Sequence, residues 1–196
     1  MKLITAFFLS LVFSSTAVAQ PLTPFLGASM TARHGSSLAP ITHEKQIAYA
    51  DPTIVRVGST FYLTGTAYER LQGFSVLKSK DLKTWTPVGR LLTEGKQVYG
   101  DKGFWAPQFY KNGKTWQLAY TANEQVAVAE APKLTGPYTQ KLVKPVDASA
   151  KNIDPFVFTD DDGKSYLFHV RFNNGNFIWV AAYDKNTQTI DPNTLQ

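Results

Sequence analysis

The sequence predicts an all-β chain that forms part of a β-propeller, with about three blades between residues 48 and 196. Three observations predict it. A phrase of three apolar strands recurs with a period near 50 residues, the range of propeller repeats. Apolar runs are punctuated by Gly-Ser, Asn-Gly and Asp-Gly, of which the last two are strong hairpin signals. Helical patterning is scarce. A meander or sandwich would share the hairpins, but a sandwich rarely repeats a whole three-strand phrase.

The first unit reads "ADPTIVRVGSTFYLTGT" and continues "GFSVLKSKDLKTWTPVGRLL". The second reads "WAPQFYKNGKTWQLAYT" and "QVAVAEAPKLTGPYTQKLV", the third "IDPFVFTDDDGKSYLFHV" and "FIWVAAYDKNTQTI". Each opens on a residue followed by proline, then has a strand, a turn, a second strand and a third. Gly58-Ser59, Asn112-Gly113 and Asp162-Gly163 mark the turns. Asp51, Ala106 and Asp154 hold the same place, 55 and 48 residues apart. Val76 to Leu82 and Val128 to Leu134 keep one interval, and Trp85 and Tyr138 follow at nearly the same place.

Ahead of the repeats, "MKLITAFFLSLVFSSTAVAQ" has a positive Lys2, an apolar core over residues 3 to 13 and a small-x-small site at Ala17-Val18-Ala19. This is the pattern of a signal peptide cut after Ala19, and its core is too short for a membrane span. The expected organisation is 1–19 signal peptide, 20–47 lead-in segment rich in Pro, Ser, Thr, Gly and Ala, and 48–196 partial propeller. A secreted or periplasmic location follows, with no membrane partner. The chain has no cysteine, so it uses no disulfide despite export. Without Lys2 the Lys and Arg number 19 against 15 Asp and Glu, a net charge of +4. That mild, dispersed excess forms no basic stripe and argues against a nucleic-acid partner. Hydrophobic residues make up 43% and aromatic ones 13%, enough for a packed core. Most of the aromatics suit strand packing, and a few could serve a sugar-binding face.

Proline lacks an N–H and sits readily at the first residue of a strand. It also pushes the preceding residue toward an extended conformation. Asp-Pro then presents its carboxylate at the mouth of a strand, clear of the ladder. In a propeller the first strands line the central axis, so Asp51 and Asp154 should converge, with Trp105-Ala106-Pro107 between them. One Asp-Pro alone would read as a turn; two at matched positions of a repeat point to a site. Asp191-Pro192, only 37 residues after Asp154 and with no apolar strand behind it, reads as a turn.

In order along the chain, "ADPTIVRVGSTFYLTGT", "SKDLKTWTPVG", "FWAPQFYKNGKTWQLAYT", "APKLTGPYT" and "NIDPFVFTDDDGKSYL" resemble glycoside hydrolase family 43 over about residues 46 to 185. The phrase D-L-x-x-W also occurs in fructan-cleaving enzymes; the ordered set carries the resemblance. It implies a five-bladed propeller that hydrolyses arabinose- or xylose-containing polysaccharides or oligosaccharides, of plant type, with inversion. By that resemblance Asp51 matches the general base, Asp154 the aspartate that tunes the pKa of the general acid, and Trp105 an aromatic lining the sugar subsite. Inversion needs an acid and a base about 6.5 to 9.5 Å apart, with water between them. A neighbouring negative charge helps the acid keep its proton.

The family's acid is a Glu on a later blade, and no Glu follows Glu130 here. Glu94, Glu124 and Glu130 match no acid motif and read as solvated surface. Gln108 stands where many relatives carry an acidic residue. A truncated piece of a longer enzyme and a diverged gene both account for this. Truncation is favoured, because the third unit ends in a polar stretch and three blades cannot close a ring. A non-catalytic carbohydrate-binding propeller is the alternative function. A fructan-cleaving relative is a third, though the Asn usual before its aspartate is replaced by Ala50. No cofactor is expected. Some members of the family hold calcium near the centre, but His34, His43 and His169 lack ligand spacing. "TDDDGK", residues 159 to 164, lacks the later ligands of a calcium loop and reads as a hairpin turn.

Overall fold

A computed structural model describes residues 47–67, 73–92 and 97–196. The expected signal peptide and all but the last residue of the lead-in segment lie outside the described residues. What is described is three antiparallel sheets in chain order. The first contains β1 (Tyr49–Val57), β2 (Thr60–Ala67), β3 (Ser75–Ser79) and β4 (Thr86–Arg90). The second contains β5 (Trp105–Asn112), β6 (Thr115–Ala122) and β7 (Gln125–Ala131). The third contains β8 (Asn152–Thr159), β9 (Ser165–Phe172), β10 (Asn176–Asp184) and the two-residue β11 (Thr189–Ile190). Each sheet pairs its strands in sequence order, as propeller blades do. The first strands are neighbours across sheets: β5 touches β1, and β8 touches β5.

The hairpins depart from the expected two-residue turns at the second and third loops. The first loop is Gly58-Ser59, as expected, but the second is Gly113-Lys114, with Asn112 still paired in β5. Both loops open on a glycine with positive φ, +59° and +57°, a conformation that costs glycine nothing. The third is a five-residue loop closed by Asp160 N to Lys164 O, with Gly163 N donating to Asp160 O.

Packing explains why the middle unit is apolar in both phases of its strands. Leu118, Tyr120, Ala122, Ala127, Ala129 and Ala131 join the core shared with Phe74, Val76, Leu91 and Leu92 of the first unit. The alternating residues Ala119, Val126 and Val128 pack instead on Val157, Leu167 and Tyr183 of the third. Successive side chains of a strand point to opposite faces, so a sheet between two others must be apolar on both. Trp85 and Tyr138 are both buried.

Candidate active site

Three matched bulges organise the site. In β1, Asp51 and Pro52 together stand opposite the single residue Gly65. In β5, Ala106 and Pro107 stand opposite Tyr120, and in β8, Asp154 and Pro155 stand opposite His169. Two residues against one is a β-bulge, and the extra residue is turned out of the ladder. Proline suits the second place because it has no N–H to lose.

The proline rule predicts an extended residue before each proline, and the structure contradicts it. Asp51, Ala106 and Asp154 have φ of +48°, +46° and +56°. The bulge wins over the local preference because its extra residue must rotate out of the strand. Aspartate tolerates the left-handed region better than most residues; alanine gains nothing there, and Ala106 is held by its neighbours.

The rotation brings Asp51 and Asp154 into one field. The Asp154 carboxyl is held above the usual aspartate range, first by partial burial and second by the negative charge of Asp51. The backbone ties between units are also matched. Ala106 N donates to Thr66 Oγ1 at 2.8 Å, and Asp154 N donates to Thr121 Oγ1 at 2.9 Å. Thr66 Oγ1 in turn donates to Asp51 Oδ2 at 2.8 Å. Trp105, between the two aspartates in chain order, is 37% exposed. Its ring lies over Gly103, where a Cβ would come within 3.1 Å of it.

The other candidates fall elsewhere. Glu124 pairs with Lys151, and Glu130 pairs with Lys141 and accepts from Gln188; Glu94 lies outside the described residues. Gln108 spans two units, with Nε2 donating to Val157 O and Oε1 accepting from Val157 N. His169 is buried on the side of β9 shared with Leu167, and burial lowers its pKa. His34 and His43 are outside the described residues. Among the described residues, no three His, Cys, Asp or Glu stand where they could hold a metal ion. In "TDDDGK", Asp162 is engaged by the Lys164 ammonium and backbone N–H.

Thr66 and Thr121 did not stand out in the sequence. Their signal is that "FYLTGT" and "WQLAYT" both end in threonine at matched positions, while "YLFHV" ends in Val170.

The model of a known family, glycosyl hydrolases family 43, matches residues 43–196. The chain belongs to this family. Its three sheets are blades of a propeller of the five-bladed type. Among family-43 relatives, a xylan 1,3-beta-xylosidase from a Vibrio species is 30% identical over 151 residues, covering 69% of this chain and 26% of its own length. An extracellular endo-alpha-(1->5)-L-arabinanase from Bacillus subtilis is 28% identical, covering 90% of this chain and 54% of its own. An endo-1,4-beta-xylanase structure from Bacteroides thetaiotaomicron aligns with a TM-score of 0.71 and 38% identity, over 76% of this chain and 51% of that one. The chain therefore spans about a quarter to a half of the length of the relatives it matches.

Proposed function

We propose that the protein hydrolyses O-glycosyl bonds in arabinose- or xylose-containing polysaccharides or oligosaccharides, outside the cytoplasm and with inversion. Asp51 is the general base that activates water. Asp154 tunes and orients the general acid, and Trp105 stacks on a sugar ring. The family's acid is a Glu, and Glu94, Glu124 and Glu130 match no acid motif.

The observation that carries this reading is the matched pair of bulges that turn Asp51 and Asp154 out of their ladders on separate blades, with the Asp51 charge helping to raise the Asp154 pKa. An inverting site needs one exposed carboxylate to take a proton from water and a negative neighbour to keep the acid protonated. Asp51 is exposed and held through one hydroxyl. The substrate class is supported by relatives named for xylan and arabinan. Export is supported by residues 1 to 19 and by the extracellular arabinanase relative. Among the described residues, no helix is long and apolar enough to cross a membrane.

The test is Asp51→Asn in the full-length protein. Turnover should fall about 100- to 10,000-fold while the fold is kept. NMR of the first-formed sugar should show inverted configuration. Unchanged turnover refutes the base, and a retained configuration refutes inversion. A second reading, a carbohydrate-binding propeller without catalysis, is favoured by the cation partners of Glu124 and Glu130. It would be supported by oligosaccharide binding with no product from the full-length protein.

A further inference from the structure

The three second strands face the bulges through matched residues. Thr66 pairs with Ala50, Thr121 with Trp105 and Val170 with Ile153. Thr66 and Thr121 each use a hydroxyl oxygen to accept the N–H of the left-handed residue in the next unit. This is a staple between blades. Thr66 does something more.

A hydroxyl has one proton to donate and two lone pairs to accept with. The Ala106 N–H can only donate, so the Thr66 oxygen must accept there. Its own proton is then free for the second partner at 2.8 Å, Asp51 Oδ2. An ionised carboxylate can only accept, so the direction of both bonds is fixed. Thr121 has no such target, because its own unit carries Ala106 where the first carries Asp51. Among the described residues, Oδ2 alone of the two Asp51 oxygens receives a hydrogen bond.

We infer that Thr66 is a positioning residue for Asp51: its hydroxyl fixes the rotation of the carboxylate through Oδ2, presents Oδ1 to water, and ties that geometry to the second blade through Ala106 N–H. This rests on Asp51 as the general base. Proton transfer is sensitive to the placement of the base, and a displacement on the order of 1 Å can cost about 100-fold. The hydroxyl makes the bulge of one blade and the carboxylate of another a single unit.

The experiment compares Thr66→Val, Thr66→Ala, Thr66→Ser and Asp51→Asn in the full-length protein on one arabino- or xylo-oligosaccharide, well below each variant's Tm. Thr66→Val should lower kcat about 10- to 100-fold with KM within threefold. Thr66→Ser keeps the hydroxyl and should stay within threefold of the parent in both constants. Thr66→Ala replaces Thr66→Val if the latter does not fold. Full turnover in Thr66→Val with an inactive Asp51→Asn overturns this inference and leaves the base standing. Full turnover in both overturns the base and the inference together. Equal losses in Thr66→Ser and Thr66→Val, or a loss confined to KM, reduce Thr66 to packing and overturn it as well.

Discussion

Gln108 and Val157 are joined by two hydrogen bonds, one in each direction, between a side chain of β5 and the backbone of β8. The distances are 3.1 Å for the amide donating to Val157 O and 2.6 Å for the amide oxygen accepting from Val157 N. A carboxamide is suited to this because it carries a donor and an acceptor side by side. The clamp spans the second and third blades just beyond the bulges that carry Ala106 and Asp154.

Gln108→Glu keeps the shape and removes the donor. An ionised Glu would set a negative oxygen against the Val157 carbonyl and leave that carbonyl unpaired. A loss of about 1–3 kcal/mol is expected, read by urea unfolding at pH 7. The loss should shrink near pH 4, where a protonated Glu regains an O–H donor. A variant as stable as the parent at pH 7 would show that the clamp is not a stabilising contact.

Gly65 has no room for a side chain. A Cβ there would lie 2.8 Å from both Ala50 O and Tyr49 Cβ, and the first of these is backbone that cannot swing aside. Since Gly65 stands opposite the Asp51-Pro52 bulge, Gly65→Ala must push that bulge outward. The expected cost is about 1–3 kcal/mol of stability. Turnover of the full-length protein should fall along with it, because Asp51 moves. Gly58→Ala in the adjoining turn, where a Cβ meets nothing within 4 Å, strains only its own φ and should leave turnover unchanged.

The repeat was legible because its causes are local. A proline at a strand start, a glycine-bearing turn and alternating apolar residues each leave a mark in a short stretch, and three copies reinforce one another. The left-handed φ at Asp51 and Asp154 was not legible, because the proline rule and the bulge pull in opposite directions and only the paired strand decides between them. The outer strands were missed for a similar reason. Thr86–Arg90 contains Pro87 and Gly89, poor strand residues, and is held by its partner Ser75–Ser79. Thr66 and Thr121 look like ordinary strand threonines until the neighbouring blade supplies the N–H.

Asp154→Asn should stabilise the fold at neutral pH while harming turnover of the full-length protein. The Asp154 pKa is raised by burial and by Asp51. A raised folded-state pKa means that the native protein binds this proton more tightly than the unfolded chain does. Stability is therefore lost as pH rises from the unfolded value of 3.8 through the folded one, and it stays lost at neutral pH. Asn carries no charge and escapes that loss. The gain at pH 7 should be under about 1 kcal/mol, since the group is partly exposed. It should vanish toward pH 3.8, and urea unfolding at the two pH values reads both. A gain that persists unchanged at low pH would mean that charge is not its cause.

The third blade presents Phe156, Phe158 and Ile178 to solvent, with exposures of 53%, 43% and 76%. Strand alternation puts them on the face opposite Val157 and Leu167, which pack on the second blade. Ile178 pairs with Val170, and Phe156 with Phe168, so the half-buried Phe168 and Val170 of β9 link the exposed residues of β8 and β10 on one face. An apolar strip of this kind on a folded surface promotes association. The 196-residue chain should therefore self-associate as its concentration rises, as sedimentation velocity would show. Phe156→Lys with Ile178→Lys should shift it toward monomer at little cost in stability, because both positions are exposed. Leu142→Lys is the control: Leu142 is 70% exposed but lies in the segment after β7, outside this strip. If the double variant still associates as the parent does, or if Leu142→Lys alone abolishes association, then a different surface drives it.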